Sequence, residues 1–240
     1  MIPKIIHYCW FGMGVMPELV EQCIASWHTH MPDWEFKAWT EENFDIHAAP
    51  QYVQEAYAAK KYAFVSDYVR LWALEREGGL YMDVDFEVYR SFDNLMEQYD
   101  AFAGYEGSKR NPVMMGVLAA KAHHPWIQGM LQTYADRAFV LADGTLDMTP
   151  NTGYFLEWML EHGFVNNGKE QDFMGVHILP VECFCPVLTT GEDVRSDRTY
   201  CEHKGLHSWS GNGGWKAKVL SILPQSWKTR VIKLKRKILE

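Results

Sequence analysis

Apolar and polar residues follow two different periods in the first part of the chain. Short apolar runs of strand character alternate with segments in which apolar residues recur every three or four positions, as on one face of a helix. The predicted strands are 3–9, 34–39 and 80–85, and the predicted helices are 17–30, 50–60 and 62–77. This alternation predicts an α/β fold with a mostly parallel central sheet, which binds its ligands beyond the carboxyl ends of the strands.

The second half of the chain has a less regular pattern. Its apolar runs predict further strands, and two stretches have helical spacing. These strands are 101–105, 113–118 and 176–180, and the helices are 125–134 and 154–162. The chain then becomes rich in loops, so this half predicts the fold less clearly than the first.

Asp83 and Asp85 stand two residues apart at the end of the predicted strand 80–85. Carboxylate oxygens in this arrangement can bind a divalent cation, directly or through water, and leave coordination positions for substrate phosphates. The pattern therefore favours a site for a metal ion and a diphosphate. Isolated Asp-x-Asp pairs also occur on solvated surface loops, which is the alternative interpretation. The residues upstream of the pair distinguish the two.

The helix predicted at 62–77 has apolar residues three or four positions apart, which is typical of a core helix. It carries Asp67 and Arg70 on one face, because residues three apart are neighbours on a helix. The helix ends at Gly78-Gly79, which suits the left-handed residue of a C-cap. Asp67 and Arg70 belong either to a binding site or to an exposed ion pair of small energetic value.

The segment from this helix to the two aspartates resembles the sugar-binding DXD region of glycosyltransferase family thirty-two. That family includes bacterial capsule enzymes and yeast-type mannosyltransferases. The residues that carry the resemblance are Ser66, Asp67, Arg70, Gly78, Gly79, Tyr81, Asp83 and Asp85. Residues 2–12 are similar to the family's first strand and nucleotide loop. The resemblance covers residues 2–90 and resumes at residues 207–209, which are similar to the loop that closes on the diphosphate.

The resemblance implies a glycosyltransferase A-type fold, in which a single Rossmann-like domain binds a nucleotide sugar, here a UDP- or GDP-sugar. It also implies a role for each matching residue. Asp85 would bind Mn²⁺ or Mg²⁺ directly, and Asp83 would contact the nucleotide ribose or, through water, the metal. Asp67 would bind hydroxyls of the donor sugar, Arg70 the diphosphate, and Tyr81 the ribose or the sugar.

Further roles rest on looser matches. Trp10 would stack on the nucleotide base, although a tryptophan beside a strand end is often packed core. His207 is a candidate metal ligand because imidazole suits Mn²⁺, and a core or surface histidine is the other interpretation. Ser208 and Trp209 would donate hydrogen bonds to the leaving diphosphate. Residues 151–153 lie where relatives have an acceptor-side loop, and turn formation explains them equally well.

The length of 240 residues and a hydrophobic content of 48% suit one α/β catalytic domain, which we predict at residues 1–215. The five cysteines are scattered, so reduced thiols are expected. A weaker alternative is a zinc site built from Cys183-x-Cys185 and Cys201-x-His203. Neither an apolar run of about 18 residues nor a signal-peptide pattern occurs, which predicts a cytoplasmic protein.

Charge changes abruptly near the end of the chain. Residues 216–240 contain eight Lys or Arg and one acidic residue, a net charge of +7, whereas residues 1–215 carry −15. Interleaved apolar and basic residues predict an amphipathic tail that binds the anionic inner face of the plasma membrane, and a solvated terminal helix is the alternative. Nucleic acid is a weaker candidate partner because the body is acidic and carries no recognised nucleic-acid motif.

These patterns and the resemblance predict a metal-dependent glycosyltransferase that retains the anomeric configuration. It would move a sugar from a nucleotide sugar to a hydroxyl of a glycan or lipid-linked acceptor, in the synthesis of bacterial capsule or surface polysaccharide. No catalytic base is identifiable. Two other functions stay open, a hydrolase or phosphotransferase that uses the same Asp-x-Asp pair, and a noncatalytic carbohydrate-binding domain whose ten tryptophans stack on sugars.

Overall fold

A seven-stranded sheet forms the centre of the region described by the computed structural model, residues 1–12, 14–108 and 112–205. The strands of this region are β1 (Ile5–Cys9), β2 (Glu35–Trp39), β3 (Gly79–Met82), β4 (Phe86–Val88), β5 (Ala101–Tyr105), β6 (Val113–Ala120), β7 (Gln171–Phe173), β8 (Val176–Leu179) and β9 (Cys201–His203). The order across the sheet is β2-β1-β3-β6-β5-β8-β7, and β4 pairs with β9 in a separate two-stranded sheet.

Helices cover the large sheet within the unit Met1–Lys204. They are α1 (Glu18–His30), α2 (Gln51–Ala58), α3 (Tyr62–Glu77), α4 (Asp93–Gln98), α5 (Pro125–Gln132) and α6 (Asn151–Glu161). Side chains of one strand point alternately to opposite faces, and β3 follows this rule. Leu80 and Met82 join one apolar core, whereas Tyr81 joins the other, in which α3 is buried. No helix of the described region is long and apolar enough to span a membrane.

The predicted α/β fold with a mostly parallel sheet is confirmed. Strands β1, β2, β3, β5 and β8 run in the same direction, and β6 and β7 run opposite to them. The two reversals arise because short connections join β5 to β6 and β7 to β8, and a short connection can make only an antiparallel hairpin. The predictions missed α4 and the short strands β4, β7 and β9, which have too few residues to show a period.

The strand predicted at 80–85 is shorter in the structure and ends at Met82. The Asp83 amide still donates to the Gly116 carbonyl across the sheet, at 2.8 Å. The chain then turns, and the Phe86 amide donates back to the Asp83 carbonyl at 3.2 Å. The two aspartates therefore lie on a tight turn between β3 and β4.

Gly78 and Gly79 form the junction between α3 and β3, as predicted. Gly78 has φ of +66° and donates to the Leu74 carbonyl at 2.9 Å, which caps the helix. Gly79 has φ of +112°, and a Cβ there would lie 2.8 Å from the Ile5 carbonyl oxygen. Only glycine therefore allows β3 to start so close to β1.

We expect Gly79→Ala to lower the free energy of unfolding by about 1 to 3 kcal/mol more than Gly144→Ala does. Gly144 is the matched control because it also has a positive φ, +83°, but a Cβ there would meet no atom within 4 Å. Both variants therefore have a strained backbone, and only the first also clashes. Urea unfolding measures the two losses, and equal losses would contradict the close approach of β1 and β3.

Candidate active site at the end of β3

The residues that follow β1 and β3 lie at the same edge of the sheet. The two strands are parallel neighbours, with Ile6 opposite Leu80. Trp10 follows β1 directly, and the turn that carries Asp83 and Asp85 follows β3. The structure thus brings together the two sequence segments that were predicted to form one site.

A buried guanidinium forms the centre of this site. Arg70 Nη2 lies 2.8 Å from Asp67 Oδ1 and 3.4 Å from Asp83 Oδ1. Arg70 Nη1 donates to the Met115 carbonyl, and Nε donates to the Ser66 carbonyl at 3.2 Å. The Arg70 side chain is only 6% exposed, so the alternative of an exposed ion pair with Asp67 is wrong.

Burial and the guanidinium act in opposite directions on the two carboxyl groups. Burial raises the pKa of Asp67 to about 6, and the nearby charge of Arg70 limits the rise. Burial also raises the pKa of Asp83, again against the effect of Arg70. The Tyr81 hydroxyl donates to Asp83 Oδ1 at 2.8 Å, and its ring centroid lies 4.7 Å from the guanidinium carbon of Arg70. Tyr81 thus orients the same carboxylate that Arg70 contacts.

Asp85 faces a histidine that the sequence analysis did not assign to the site. Asp85 Oδ2 lies 3.0 Å from His203 Nε2, and Asp85 is buried. The pairing of β4 with β9 brings Phe86 opposite His203, whose ring stacks on the phenyl ring with centroids 4.7 Å apart. Burial lowers the pKa of His203, but the hydrogen bond and charge of Asp85 outweigh that effect and raise it. No local signal could have found this contact, because His203 lies 118 residues after Asp85.

The donor atoms of this turn suit the predicted divalent cation. Carboxylate oxygens are ligands for Mg²⁺ and Mn²⁺, and imidazole nitrogen suits Mn²⁺ in particular. Among the residues that the structure describes, no three or more acidic, histidine or cysteine side chains cluster tightly enough to hold an ion by themselves. Asp85 and His203 therefore fit such a cation as a ligand pair, a partial set that suits an ion also held by a diphosphate.

The described residues do not form the zinc site considered as an alternative. Cys183, Cys185 and Cys201 are buried free thiols, in agreement with the predicted reduced state, and His203 faces Asp85. Over the described ranges no group of three potential ligands joins these cysteines to a histidine. Burial raises the pKa of all three thiols, as expected of cysteines that act as apolar core residues.

Trp10 is half-buried and belongs to neither apolar core, which argues against the packed-core interpretation. Its indole N–H donates to the Gly14 carbonyl at 2.8 Å. Three other predicted site residues, His207, Ser208 and Trp209, lie outside the described residues, as does the basic tail.

A second arginine, Arg137, has a side chain only 12% exposed and affects the pKa of Asp67, and it was not predicted. Arg137 Nη2 lies 2.9 Å from Asp147 Oδ2, and the charge of Arg137 also favours the ionised form of Asp67. The rings around its guanidinium, with centroids 3.9 to 5.0 Å away, belong to Tyr52, Tyr134 and Tyr154. Within the described part of the chain, Arg137 Nη1 and the buried Tyr134 hydroxyl have no hydrogen-bond partner. The surroundings of Arg137 are thus more polar than an ordinary apolar protein core.

Residues 151–153 begin helix α6, so they form neither the predicted acceptor-side loop nor the alternative turn. Pro150 precedes the helix with φ of −61° and ψ of 140°, and the amides of Gly153 and Tyr154 both donate to its carbonyl at 3.1 Å. Thr152 and Gly153 line a groove of about 680 Å³.

Residues 17–102 match the family model described as the glycosyltransferase sugar-binding region containing the DXD motif. This match confirms the resemblance to the DXD sugar-binding region over residues 17–102, the segment that carries Asp67, Arg70, Asp83 and Asp85.

Among curated proteins, the chain is similar to inositol phosphoceramide mannosyltransferase 3 of Schizosaccharomyces pombe, with 26% identity over 141 residues. The match covers 58% of this chain and only 38% of that protein. Solved structures with a likeness include the galactosyltransferase LgtC in complex with donor and acceptor sugar analogues, at 13% identity and a TM-score of 0.42, covering 93% of this chain and 99% of that one. The PaToxG glycosyltransferase matches at 19% identity and a TM-score of 0.44, covering 55% and 59%.

We expect the stability of the protein to depend on the protonation of Asp67. The pKa of this carboxyl is about 6 in the folded chain, against 3.8 for an ordinary aspartate, so the folded state binds the proton more tightly. The contribution of Asp67 to the free energy of unfolding is therefore full below pH 3.8 and is lost as the pH rises through 6. The change amounts to about 1 to 3 kcal/mol.

Urea unfolding of the wild type and Asp67→Asn in EDTA, between pH 5 and pH 8, measures this effect. The wild type should gain stability relative to the variant as the pH falls. Asp33→Asn controls for the loss of a carboxylate at an exposed site. If the difference in the free energy of unfolding between wild type and Asp67→Asn does not change with pH, the raised pKa of Asp67 is contradicted.

Proposed function

We propose that the protein is a metal-dependent glycosyltransferase that moves a sugar from a nucleotide sugar to an acceptor hydroxyl with retention of the anomeric configuration. The observation that carries this proposal is the arrangement of Asp83 and Asp85 on one turn, beside the buried pair of Asp67 and Arg70. Retention is supported by the resemblance to family thirty-two, whose known members retain the configuration.

The donor would lie along the edge formed by the ends of β1 and β3. Trp10 stacks on the nucleotide base, and Asp67 accepts hydrogen bonds from hydroxyls of the donor sugar. Arg70 acts chiefly by holding Asp67 and Asp83, since its N–H groups already contact both carboxylates and two backbone carbonyls. Direct contact of Arg70 with the diphosphate stays a prediction. Tyr81 supports the ribose or sugar through its contact with Asp83.

Asp85 and His203 would hold the divalent cation, with Asp83 contacting it through water. When bound, the cation neutralises charge on the departing nucleoside diphosphate, the charge that grows most in the transition state. Ser208 and Trp209 would add neutral donors to the same oxygens, as the resemblance implies. These donors act on the leaving group, so they accelerate transfer more than they strengthen donor binding.

The transfer breaks the bond between the anomeric carbon and the diphosphate oxygen and forms a bond from that carbon to the acceptor oxygen. Retention requires the acceptor to approach from the face that the diphosphate leaves. The acceptor hydroxyl loses its proton as the new bond forms, and the departing diphosphate can accept it. Asp67 and Asp83 remain fixed by Arg70 throughout, which keeps the sugar oriented without reorganisation.

A nucleotide-sugar panel tests the proposal. Thermal shift with and without Mn²⁺ identifies the donor, and GDP-mannose heads the panel because the fission-yeast relative is named a mannosyltransferase. Product analysis then separates the candidate functions. Glycosyl transfer supports the proposal, nucleotide hydrolysis alone or phosphoryl transfer favours a hydrolase or phosphotransferase, and binding without turnover favours a carbohydrate-binding domain.

We expect Asp85→Asn to abolish transfer, with a loss in kcat of about hundredfold or more, because the amide lacks the ligand charge. The amide keeps the side chain's size and one acceptor oxygen, so the fold should survive. Glu87→Gln is the matched control, since Glu87 lies on the same segment but pairs with Lys204 at 2.6 Å. Transfer rates in EDTA and in excess Mn²⁺ provide the measurement, and full activity of Asp85→Asn in Mn²⁺ would refute the assignment.

The cellular role we propose is synthesis of a bacterial capsule or surface polysaccharide, with residues 1–215 as catalytic domain and residues 216–240 as a membrane-binding tail. Support comes from the family resemblance and from the tail's net charge of +7. A lipid-linked acceptor at the inner face of the plasma membrane would then be within reach. Each basic residue near an anionic surface contributes about 1 kcal/mol of binding free energy.

Deletion of residues 225–240 should abolish binding to anionic vesicles and leave transfer to a soluble acceptor intact. Added salt should weaken vesicle binding of the intact chain, because the attraction is electrostatic and is screened. Sedimentation with vesicles of phosphatidylserine and phosphatidylcholine measures both effects. Undiminished or salt-insensitive binding after the deletion would exclude this role for the tail.

A further inference from the structure

Phe86 follows Asp85 directly, begins β4 and is buried. Its amide donates to the Asp83 carbonyl at 3.2 Å, which closes the Asp-x-Asp turn. Its carbonyl accepts a hydrogen bond from the indole N–H of Trp27 at 2.7 Å. The backbone that leaves Asp85 is therefore fixed by one contact within the turn and by a second contact from helix α1.

The ring of Phe86 lies against the imidazole of His203 and against the backbone of β6. The two rings stack with centroids 4.7 Å apart and planes 17° apart. On β6, a Cβ at Gly116 would lie 2.8 Å from a carbon of the Phe86 ring and 2.8 Å from Asp83 Oδ2. The ring therefore fills the space up to the β6 backbone and cannot move towards it. Phe86 thus gives the imidazole a fixed surface.

Helix α1 provides hydrogen-bond partners for the edge of β4 that faces away from β9. Backbone groups of alternate residues in an antiparallel pair point to opposite edges. The Tyr89 amide donates towards β9, so the groups of Phe86 and Val88 point the other way. There Trp27 donates to the Phe86 carbonyl, and the Val88 amide donates to the Ser26 hydroxyl at 2.9 Å. Trp27 is fully buried, so loss of its N–H would leave a buried carbonyl unpaired, which is costly.

The imidazole of His203 needs support because its side chain is 40% exposed and the core does not enclose it. Its Nε2 lies 3.0 Å from Asp85 Oδ2, so a rotation of the ring changes the separation of the two atoms assigned to the cation. The stack on Phe86 opposes that rotation, since tilting one ring would open a gap between the two and lose their contact.

We propose that Phe86 and Trp27 are positioning residues for the divalent cation. Trp27 fixes the backbone that follows Asp85, and Phe86 holds the imidazole of His203 facing the Asp85 carboxylate. The inference rests on the proposed metal-dependent transfer and adds the residues that keep the two ligand atoms together. Residues that orient the ligands of a metal typically change its affinity by about 10- to 100-fold when they are replaced.

The gain in nucleotide affinity that a cation provides measures this role. Isothermal titration of UDP and GDP in EDTA, Mg²⁺ and Mn²⁺, corrected for cation binding to the free nucleotide, gives the gain. We expect Phe86→Leu to lower the gain from Mn²⁺ about tenfold. The gain from Mg²⁺ should fall less, because imidazole suits Mn²⁺ better than Mg²⁺. Affinity in EDTA should not change, since the residues assigned to the base and ribose are untouched.

Trp27→Phe keeps an aromatic ring but loses the N–H that reaches β4, so it should also lower the gain from Mn²⁺. Its matched control is Trp34→Phe, because Trp34 lies in the same apolar core and its N–H donates to Asp93 at 3.0 Å. Phe102→Leu is the control for Phe86→Leu, since Phe102 belongs to that core and packs on other phenyl rings. Both controls should lose stability and keep the wild-type gain.

Ser26→Ala tests the same support with a smaller change if the larger substitutions prevent folding, which circular dichroism detects. The Val88 amide loses its acceptor in this variant, so β4 is held less tightly. The gain from Mn²⁺ should fall about threefold, roughly the effect of one neutral hydrogen bond. Thr29→Ala is the control, because Thr29 is exposed on the same helix and its hydroxyl donates to the Ala25 carbonyl at 2.9 Å.

The inference is overturned if the variants that fold keep the wild-type gain from Mn²⁺, or if the controls lose as much of it. It is also overturned if the affinities in EDTA, Mg²⁺ and Mn²⁺ all fall together, the result expected of a merely structural role. Either result leaves the proposed function standing as long as the wild type gains affinity from Mn²⁺. No gain in the wild type would count against the proposed metal dependence, and the inference would fall with it.

Discussion

The buried guanidinium of Arg70 is the constraint on which the candidate site depends. Asp67 is buried beside it and Asp83 is partly buried, and without a neighbouring positive charge the burial of an ionised Asp67 would be costly. Arg70 also donates to the Met115 carbonyl on β6, so one side chain ties α3 to the sheet and to the turn after β3. The contact of Arg70 with Asp83 thus positions the Asp-x-Asp turn and also favours the ionised form of its first carboxylate, against the effect of burial.

The position of the second aspartate, Asp85, depends on contacts with a part of the chain more than a hundred residues away. Asp85 meets His203 because β4 pairs with β9, and the Lys204 amide donates to the Asp85 carbonyl at 2.8 Å. The small sheet therefore brings β9 next to the turn that carries Asp85.

The elements of the first half of the molecule were predicted well because the signals that define them lie within short stretches of sequence. Helix α3 shows its period over sixteen residues, and Gly78 ends it where only a positive φ fits. The Asp-x-Asp pair was recognised because its spacing is short. His203 and Arg137 were missed, since their effect on the site depends on strand pairing or packing between segments far apart in sequence. Short strands such as β9, with three residues, carry no period that could reveal them.

The burial of Arg70 also shows that Asp67 and Arg70 do not form an exposed ion pair, which their spacing alone left open. An aspartate and an arginine three apart on a helix are equally compatible with an exposed ion pair, and only the packing of α3 against β3 and β6 removes them from solvent. Residues 207–209 and the basic tail lie outside the described residues, so their roles remain proposals based on the resemblance and on charge.

The central claim is that the turn after β3 binds a divalent cation and a nucleoside diphosphate together. Isothermal titration calorimetry of UDP and GDP, with and without Mn²⁺ and corrected for Mn²⁺ binding to the free nucleotide, tests it directly. The account predicts that for one of the nucleotides each ligand raises the affinity for the other by the same factor, about tenfold or more. Equal affinity for both nucleotides with and without Mn²⁺ would contradict it.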